Sequence, residues 1–350
     1  MTRIIIFCFL ILIGCNPEPK KENNLSEKER WLERAERTEI IRDDFGVPHI
    51  YGKTDADAVF GLLYAQCEDD FNRVEQNYIW ALGRLAEING EKALYSDLRA
   101  RMFMTKEEAI KNYENSPEWL QTLCIAFADG INYYLHSHPE VKPKLIDHFE
   151  PWMPMYFSEG SIGGDIERIS TQKIKKFYEE DQGSELAEVY DGMQKLDYGE
   201  SQGSNGFAIS GKLTSSGNAM LLINPHTSFF FRGEVHVVSE EGLNAYGAVT
   251  WGQFFVYQGF NEKTGWMHTS TGTDIMDEFE ETIIDGTEGL QYLYGTEKRK
   301  VETIPVKLSY KTDAGMGENT YEVYRTHHGP ITHSNGCLLY TSPSPRDGET

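Results

Sequence analysis

Ser204, which follows Gly203, begins the segment with the clearest chemical potential. A serine hydroxyl is a weak nucleophile at neutral pH, so a base must accept its proton. Cutting the Gly203–Ser204 peptide bond would free the serine's own α-amine, and an α-amine titrates near the pH at which a general base works best. Gly203 has no Cβ and therefore tolerates the close approach that such a cut requires. The Gly-Ser-Asn-Gly sequence is also typical of an ordinary turn, so this junction alone leaves both interpretations open.

Two apolar segments follow the junction and predict a β-hairpin. Residues 204–211 and 219–226 have the composition of strands, and residues 215–218 between them have that of a turn. The second segment ends in the sequence Asn224-Pro225-His226. A serine and a histidine would therefore lie on neighbouring strands.

This hairpin resembles the start of the catalytic chain in the penicillin acylase family, which includes the acyl-homoserine lactone acylases. Residues 41–50 and 60–66 are similar to the opening motifs of the same family, and the motifs follow the family's order. Members are N-terminal-nucleophile hydrolases, which mature by cutting themselves just before the nucleophile. The resemblance implies an amidohydrolase that acts on small N-acyl compounds and matures from one precursor into an α/β heterodimer.

The resemblance also assigns roles around the nucleophile. Ser204 would attack the substrate while its α-amine acts as the base, through a water molecule. His226 would form hydrogen bonds around the nucleophile and its amine; the alternative is a structural histidine that caps a strand. Asn205 would help to orient the nucleophile, and the backbone N–H of Ser270 would donate to the oxyanion of the tetrahedral intermediate.

A calcium site is expected shortly after this oxyanion strand. Asp274 and Asp277, with the carbonyl of Met276 between them, could supply oxygen ligands to Ca²⁺. The resemblance places a structural calcium site here, although Asp-x-x-Asp also occurs in many surface loops and a further carboxylate is required. No organic cofactor is expected.

The order of the predicted elements indicates an α+β fold. Thr54 or Asp55 can cap a helix that runs to about Ile88, and a capping box predicts a helix over 105–114. Helices over 117–138 and 157–175 follow, with Ile162, Ile166 and Ile169 as core residues or, alternatively, as acyl-pocket residues. Strands are predicted at 235–238, 245–249, 254–257, 280–284 and 301–324. The resemblance sharpens the fold to the αββα sandwich of N-terminal-nucleophile hydrolases with a helical N-terminal α-chain region.

The N-terminal residues predict export. An apolar run over 4–13 follows a charged start and is too short to span a bilayer, which is typical of a signal peptide. Residues 12–15 resemble a bacterial lipobox, so we expect Cys15 to carry lipid and anchor the protein to a membrane facing the periplasm or the cell surface. The alternative is a plain secretory signal. Cys67, Cys124 and Cys337 show no metal-ligand spacing, and buried free thiols are expected at Cys67 and Cys124.

These expectations divide the chain into six parts. They are a signal peptide (1–15), a tether (16–37), the helical α-chain-like region (38–178), a spacer (179–203), the start of the catalytic β-chain (204–336) and a non-native tail (337–350). The tail resembles a translated sequencing-adapter read-through. The chain is also expected to end before the family's second oxyanion donor, an asparagine, and to be incomplete with little or no hydrolysis.

The charge of the chain bears on its partners. A net charge of −22 leaves no basic stripe to meet phosphates, so a nucleic-acid partner is not expected. The alternative to an enzyme is a non-catalytic surface lipoprotein that uses the same fold as a binding module. The intact nucleophile, the cleavable Gly203–Ser204 bond and His226 favour the enzyme, since a binding module needs none of them.

Overall fold

A computed structural model describes residues 25–157, 169–179, 203–226, 232–269, 278–286, 289–334 and 338–341. Several predicted features lie outside these residues, and their predictions stay as they are: Cys15, residues 16–24 of the tether, most of the spacer, Ile162, Ile166, Ser270, Asp274, Met276, Asp277 and Cys337. The boundaries of the six predicted parts also stay predictions. Within the described residues, no helix combines the length and the apolar composition needed to cross a membrane.

The described chain is a mixture of helices and sheets, which agrees with the predicted α+β class. The helices are α1 (Glu27–Glu36), α2 (Asp55–Ala81), α3 (Ala86–Asn89), α4 (Leu94–Phe103), α5 (Lys106–Glu114), α6 (Glu118–Ser137) and α7 (Thr171–Tyr178). The first eight strands are β1 (Thr38–Arg42), β2 (Pro48–Gly52), β3 (Gly203–Ile209), β4 (Met220–His226), β5 (Arg232–Ser239), β6 (Asn244–Thr250), β7 (Gln258–Phe260) and β8 (Gly265–Trp266). The others are β9 (Glu278–Glu281), β10 (Ile283–Gly286), β11 (Gly289–Tyr294), β12 (Glu297–Lys300), β13 (Glu302–Thr312), β14 (Gly315–Thr326), β15 (Gly329–Ser334) and β16 (Leu338–Thr341).

Four sheets organise these strands. A six-stranded sheet has the order β1-β2-β5-β6-β7-β8, in which β2 and β5 are parallel and the other neighbours antiparallel. A five-stranded sheet has the order β13-β14-β15-β16-β9, and a three-stranded sheet has the order β10-β11-β12. The predicted hairpin forms its own two-stranded sheet, β3-β4, which confirms the strand–turn–strand prediction after Ser204.

Helix α2 covers one face of the six-stranded sheet and packs against α6 on its other side. The sheet residues beneath it alternate along the strands, with Ile50, Val235 and Val237 buried in the main core. A Cβ built on Gly61 of α2 would lie 2.7 Å from Cγ2 of Ile50, so glycine lets the helix approach the sheet closely. This contact explains the glycine within the apolar 60–66 segment.

Capping explains where most helices begin. The Thr54 side chain accepts the backbone N–H of Asp57 and caps α2, as predicted. Thr105 and Glu108 form the predicted capping box of α5. The buried free thiols predicted at Cys67 and Cys124 are also confirmed.

The prediction that α2 continues to about Ile88 is wrong. The helix ends at Ala81 because Gly83 adopts a φ of +60°, and the N–H of Arg84 donates to the carbonyl of Ile79 in a Schellman-type cap. Helix α2 is also interrupted at Asp70, whose φ of −159° and ψ of 73° are not helical. The Asp70 carboxylate accepts the N–H of Arg73 at 3.0 Å and so caps the second half of α2.

The strand predicted over 254–257 is wrong as well, because the chain turns there and β7 begins at Gln258. Gly252 has a φ of +93°, which reverses the chain direction. The Gln66 side chain of α2 accepts the N–H of Gly252 and donates to the carbonyl of Gln253, both at 2.8 Å. A buried helix side chain therefore satisfies the backbone groups of the turn that leads into this segment.

The contact between α2 and α6 allows a test at Gly130. A Cβ built on Gly130 of α6 would lie 2.4 Å from the backbone oxygen of Phe60. We expect Gly130→Ala to lower the free energy of unfolding by about 1–3 kcal/mol through overpacking, although glycine-to-alanine changes inside helices usually stabilise. Urea denaturation followed by circular dichroism measures this, with Thr122→Ala on the exposed side of α6 as the control. Equal or greater stability of Gly130→Ala would contradict the close packing.

Candidate active site

The β3–β4 hairpin places the predicted junction opposite the predicted histidine. In its antiparallel register Gly203 pairs with His226, Ser204 with Pro225, and Asn205 with Asn224. Directly opposed residues of antiparallel strands lie about 4.5–5.5 Å apart at their Cβ atoms. The hairpin therefore brings Asn205 and His226 together on the face beside Gly203, while the Ser204 side chain lies on the other face.

The Ser204 hydroxyl lies against the peptide bond that would be cut. Its Oγ donates a hydrogen bond to the carbonyl oxygen of Gly203 at 2.6 Å. The Thr269 hydroxyl donates to the carbonyl oxygen of Ser204 at 3.3 Å. Thr269 immediately precedes Ser270, the predicted oxyanion donor, so the residue before that donor contacts the Ser204 backbone. Attack by this Oγ on the Gly203 carbonyl carbon would begin self-cleavage.

His226 lies on the opposite strand with its ring over the junction. A Cβ built on Gly203 would be 3.8 Å from His226 Nδ1. The other ring nitrogen, Nε2, is 2.8 Å from Asn224 Oδ1 and 3.1 Å from Asn205 Nδ2. These two contacts imply different tautomers. A protonated Nε2 donates to Asn224 and leaves the Nδ1 lone pair towards Gly203, whereas a deprotonated Nε2 accepts from Asn205.

Two residues beside the junction, Asn224 and Thr269, were not among the predicted site residues. Asn224 could have been found, because residues two apart on a strand share a face and Asn224 is two residues before His226. Thr269 reaches Ser204 across a long sequence separation, which strand periodicity does not reveal. The catalytic roles of Ser204, Asn205, His226 and Ser270 stay predictions, as does the calcium site.

Asn224 can be tested as a residue that positions His226. Asn224→Ala removes the acceptor that holds the His226 ring beside Gly203, so we expect self-cleavage to slow by roughly tenfold, less than the hundredfold or more that loss of a general base costs. Loss of the uncut chain over time measures the rate. Asn224→Asp keeps an acceptor oxygen and should retain most of the self-cleavage rate. Asn218→Ala, in the turn of the same hairpin, is the control. An unchanged rate in Asn224→Ala would contradict this role.

An apolar cleft adjoins the junction. It has a volume of about 810 Å³ and lies between the hairpin and the face of the six-stranded sheet that α2 does not cover. From the hairpin, Phe207, Leu222 and Ile223 line the cleft together with Pro225, the cross-strand partner of Ser204. Clefts of this size and composition suit small apolar ligands. Of the predicted acyl-pocket residues, Ile169 is described, and it lies buried in the main core.

The helices over one face of the sheet and the hairpin over the other define an α+β scaffold with Ser204 near the start of a strand. Residues 37–347 match the family model described as penicillin amidase, and the chain belongs to this family. The match confirms the suspected family and the fold class, α+β of the N-terminal-nucleophile hydrolase type.

Relatives with assigned names agree with this family. The chain is 23% identical to acyl-homoserine lactone acylase QuiP of Pseudomonas fluorescens, covering 90% of this chain and 44% of that protein. It is 24% identical to acyl-homoserine lactone acylase PvdQ of Pseudomonas savastanoi pv. phaseolicola, and the match covers 87% of this chain and 42% of that protein. It is 22% identical to the penicillin acylase 2 proenzyme of a Pseudomonas species, and the match covers 83% of this chain and 43% of that protein. The chain thus spans less than half the length of these relatives.

A solved structure is also similar to part of the chain. Thermostable penicillin G acylase from Alcaligenes faecalis shares 20% sequence identity with a TM-score of 0.31, covering 34% of this chain and 68% of that one.

Proposed function

We propose that this protein is the precursor of an amide hydrolase, which cuts its own Gly203–Ser204 bond and then uses Ser204 to hydrolyse small N-acyl compounds. The observation that carries the proposal is the 2.6 Å hydrogen bond from Ser204 Oγ to the Gly203 carbonyl, with His226 directly across the hairpin. Membership of the penicillin amidase family and the names of the relatives support the same reaction class.

Self-cleavage would proceed in two steps. Ser204 Oγ attacks the Gly203 carbonyl carbon and loses its proton to a base. The C–N bond breaks, the nitrogen takes up a proton, and Gly203 is left as an ester on Oγ. Water then hydrolyses that ester, which releases the Gly203 carboxylate and leaves Ser204 with a free hydroxyl and a free α-amine.

Substrate hydrolysis would reuse the same hydroxyl. The α-amine of Ser204 accepts the Oγ proton through a water molecule, and Oγ attacks the amide carbonyl of the substrate. The amine product leaves with that proton, and water hydrolyses the acyl ester. The contact between Thr269 and the Ser204 backbone supports the proposal that the neighbouring N–H of Ser270 donates to the oxyanion.

The apolar cleft beside Pro225 supports an acyl group with hydrocarbon character as the part of the substrate bound there. The amine part is left open among lactones, β-lactam nuclei and other amines, because pocket shape decides it.

N-terminal sequencing of the purified protein tests this function. We expect two polypeptides, with the C-terminal one beginning at Ser204. A different first residue would remove Ser204 from the role of nucleophile, and a chain that stays uncut would favour the binding-module alternative. A screen of N-acyl amines with increasing acyl length on the processed protein then identifies the substrate class.

A further inference from the structure

A second cluster of reactive side chains lies away from the hairpin, at the turn between β14 and β15. His327 and His328 form this turn, and Glu281 ends β9 beside it. The Glu281 carboxylate oxygen Oε1 is 3.0 Å from His328 Nδ1 and 3.9 Å from His327 Nδ1. One ligand atom from each of the three residues lies within 4.8 Å of the others. The three side chains therefore converge on one point.

Two imidazole nitrogens and one carboxylate oxygen form a donor set that binds first-row divalent transition metals. Zn²⁺ binds such ligands at about 2.0–2.2 Å, so tetrahedral ligand atoms lie roughly 3–3.5 Å from one another. The two measured separations, 3.0 and 3.9 Å, bracket this spacing. Only small side-chain movements would be needed to surround a cation.

The electrostatics of the cluster also favour a cation. The Glu281 side chain is only 6% exposed, and a buried carboxylate requires a positive partner. The two histidine ring centroids are 3.7 Å apart, so protonating both rings would place like charges side by side.

Aromatic neighbours hold both rings in place. The buried Tyr292 hydroxyl accepts the backbone N–H of His327 at 3.2 Å and lies 3.0 Å from His327 Nδ1. The Phe279 ring stacks on His328 with centroids 4.3 Å apart. The histidine side chains are 27% and 29% exposed, which leaves a path for a cation from solvent. These contacts orient both rings before any cation binds, and a cation at His327 Nδ1 would replace the contact of that nitrogen with the Tyr292 hydroxyl.

We propose that Glu281, His327 and His328 form a binding site for a divalent first-row transition cation, with Zn²⁺ as the best match, which fixes the β14–β15 turn to β9. The site is distinct from the calcium site predicted at Asp274 and Asp277, because nitrogen donors suit Zn²⁺ and all-oxygen sets suit Ca²⁺. Its role is structural, since it joins the ends of strands that are far apart in the sequence.

Metal titration of the tag-free 350-residue chain after dialysis against EDTA tests the proposal. We expect one equivalent of Zn²⁺ to bind in calorimetry, Co²⁺ to give the visible absorption bands of a tetrahedral site, and millimolar Ca²⁺ not to compete. Glu281→Gln and His328→Gln should each weaken Zn²⁺ binding more than tenfold. The control variants are Glu318→Gln, an exposed carboxylate on β14, and His148→Gln, an exposed histidine; both should bind as the original chain does.

Three outcomes would overturn the proposal: no stoichiometric Zn²⁺ binding, equal binding by the site and control variants, or displacement of Zn²⁺ by Ca²⁺. Circular dichroism of the isosteric Glu281→Gln variant shows whether it is folded. As a second measurement, saturating Zn²⁺ should raise the melting temperature of the original chain by several degrees more than that of His327→Gln. Equal shifts in the two proteins would contradict a site at this turn.

Discussion

Replacing Ser204 with alanine should leave the polypeptide uncut under conditions in which the original chain is cleaved. The expected loss is complete on the timescale of expression, because alanine supplies no nucleophile and no other hydroxyl is described against the Gly203 carbonyl. Gel electrophoresis of the purified proteins, followed by mass spectrometry of each fragment, measures the outcome.

Two further variants make this result specific. Ser210→Ala changes a serine at the end of β3 whose hydroxyl accepts the N–H of Lys212, and cleavage should proceed normally. Ser204→Cys retains a nucleophilic side chain and should keep measurable cleavage. Cleavage of Ser204→Ala at the original position would show that another group attacks the bond, or that a host protease cuts it.

Removing the Asp129 carboxylate should cause the largest loss of stability of any change considered for this chain. Asp129 and Asp57 are fully buried, and Arg34, also fully buried, contacts both at 3.3 Å. Arg30 donates two hydrogen bonds to Asp129, at 2.8 and 2.6 Å. Asp129→Ala would leave the buried Arg34 with only Asp57, a carboxylate that also pairs with Arg37, so we expect the free energy of unfolding to fall by about 3–5 kcal/mol.

Denaturation by urea, followed by tryptophan fluorescence and circular dichroism, measures this loss. The matched control is Glu68→Ala, which removes a partly exposed carboxylate that pairs with Arg42 at 3.0 Å. An exposed pair of this kind is worth about 0–1 kcal/mol. If Asp129→Ala and Glu68→Ala lost similar stability, the buried network would not be what attaches α1 to α2 and α6.

The features that the sequence predicted correctly depend on neighbours close along the chain. Capping by Thr54 and the Thr105–Glu108 box involve residues three apart, and the β3–β4 hairpin is closed by a short turn. The short turn also fixes the register of this hairpin, and the register places the Gly203–Ser204 junction and Asn205 across from the strand end that carries His226. The match to the penicillin amidase family supplied the fold beyond these local elements.

What the sequence could not predict depends on contacts between distant segments. The 254–257 segment has strand composition, but Gln66 and Tyr78 of α2 bind the backbone of the preceding turn and determine its course. The Arg34 network and the convergence of Glu281 with His327 join residues whose proximity exists only in the folded chain. Charged residues in the sequence are more often solvated, so nothing local indicated their burial.

Because β2 and β5 pair in one sheet, the chain would have to fold before the Gly203–Ser204 bond is cut. These strands lie on opposite sides of the Gly203–Ser204 bond, yet they are adjacent in one sheet, and Ile50 pairs with Val237. Cleavage at Gly203–Ser204 would therefore leave two polypeptides that share a single core. Once denatured, the pieces would have to meet again by diffusion, so recovery would depend on their concentration. The cut protein would therefore refold poorly after it unfolds, and its lifetime would be governed by its rate of unfolding.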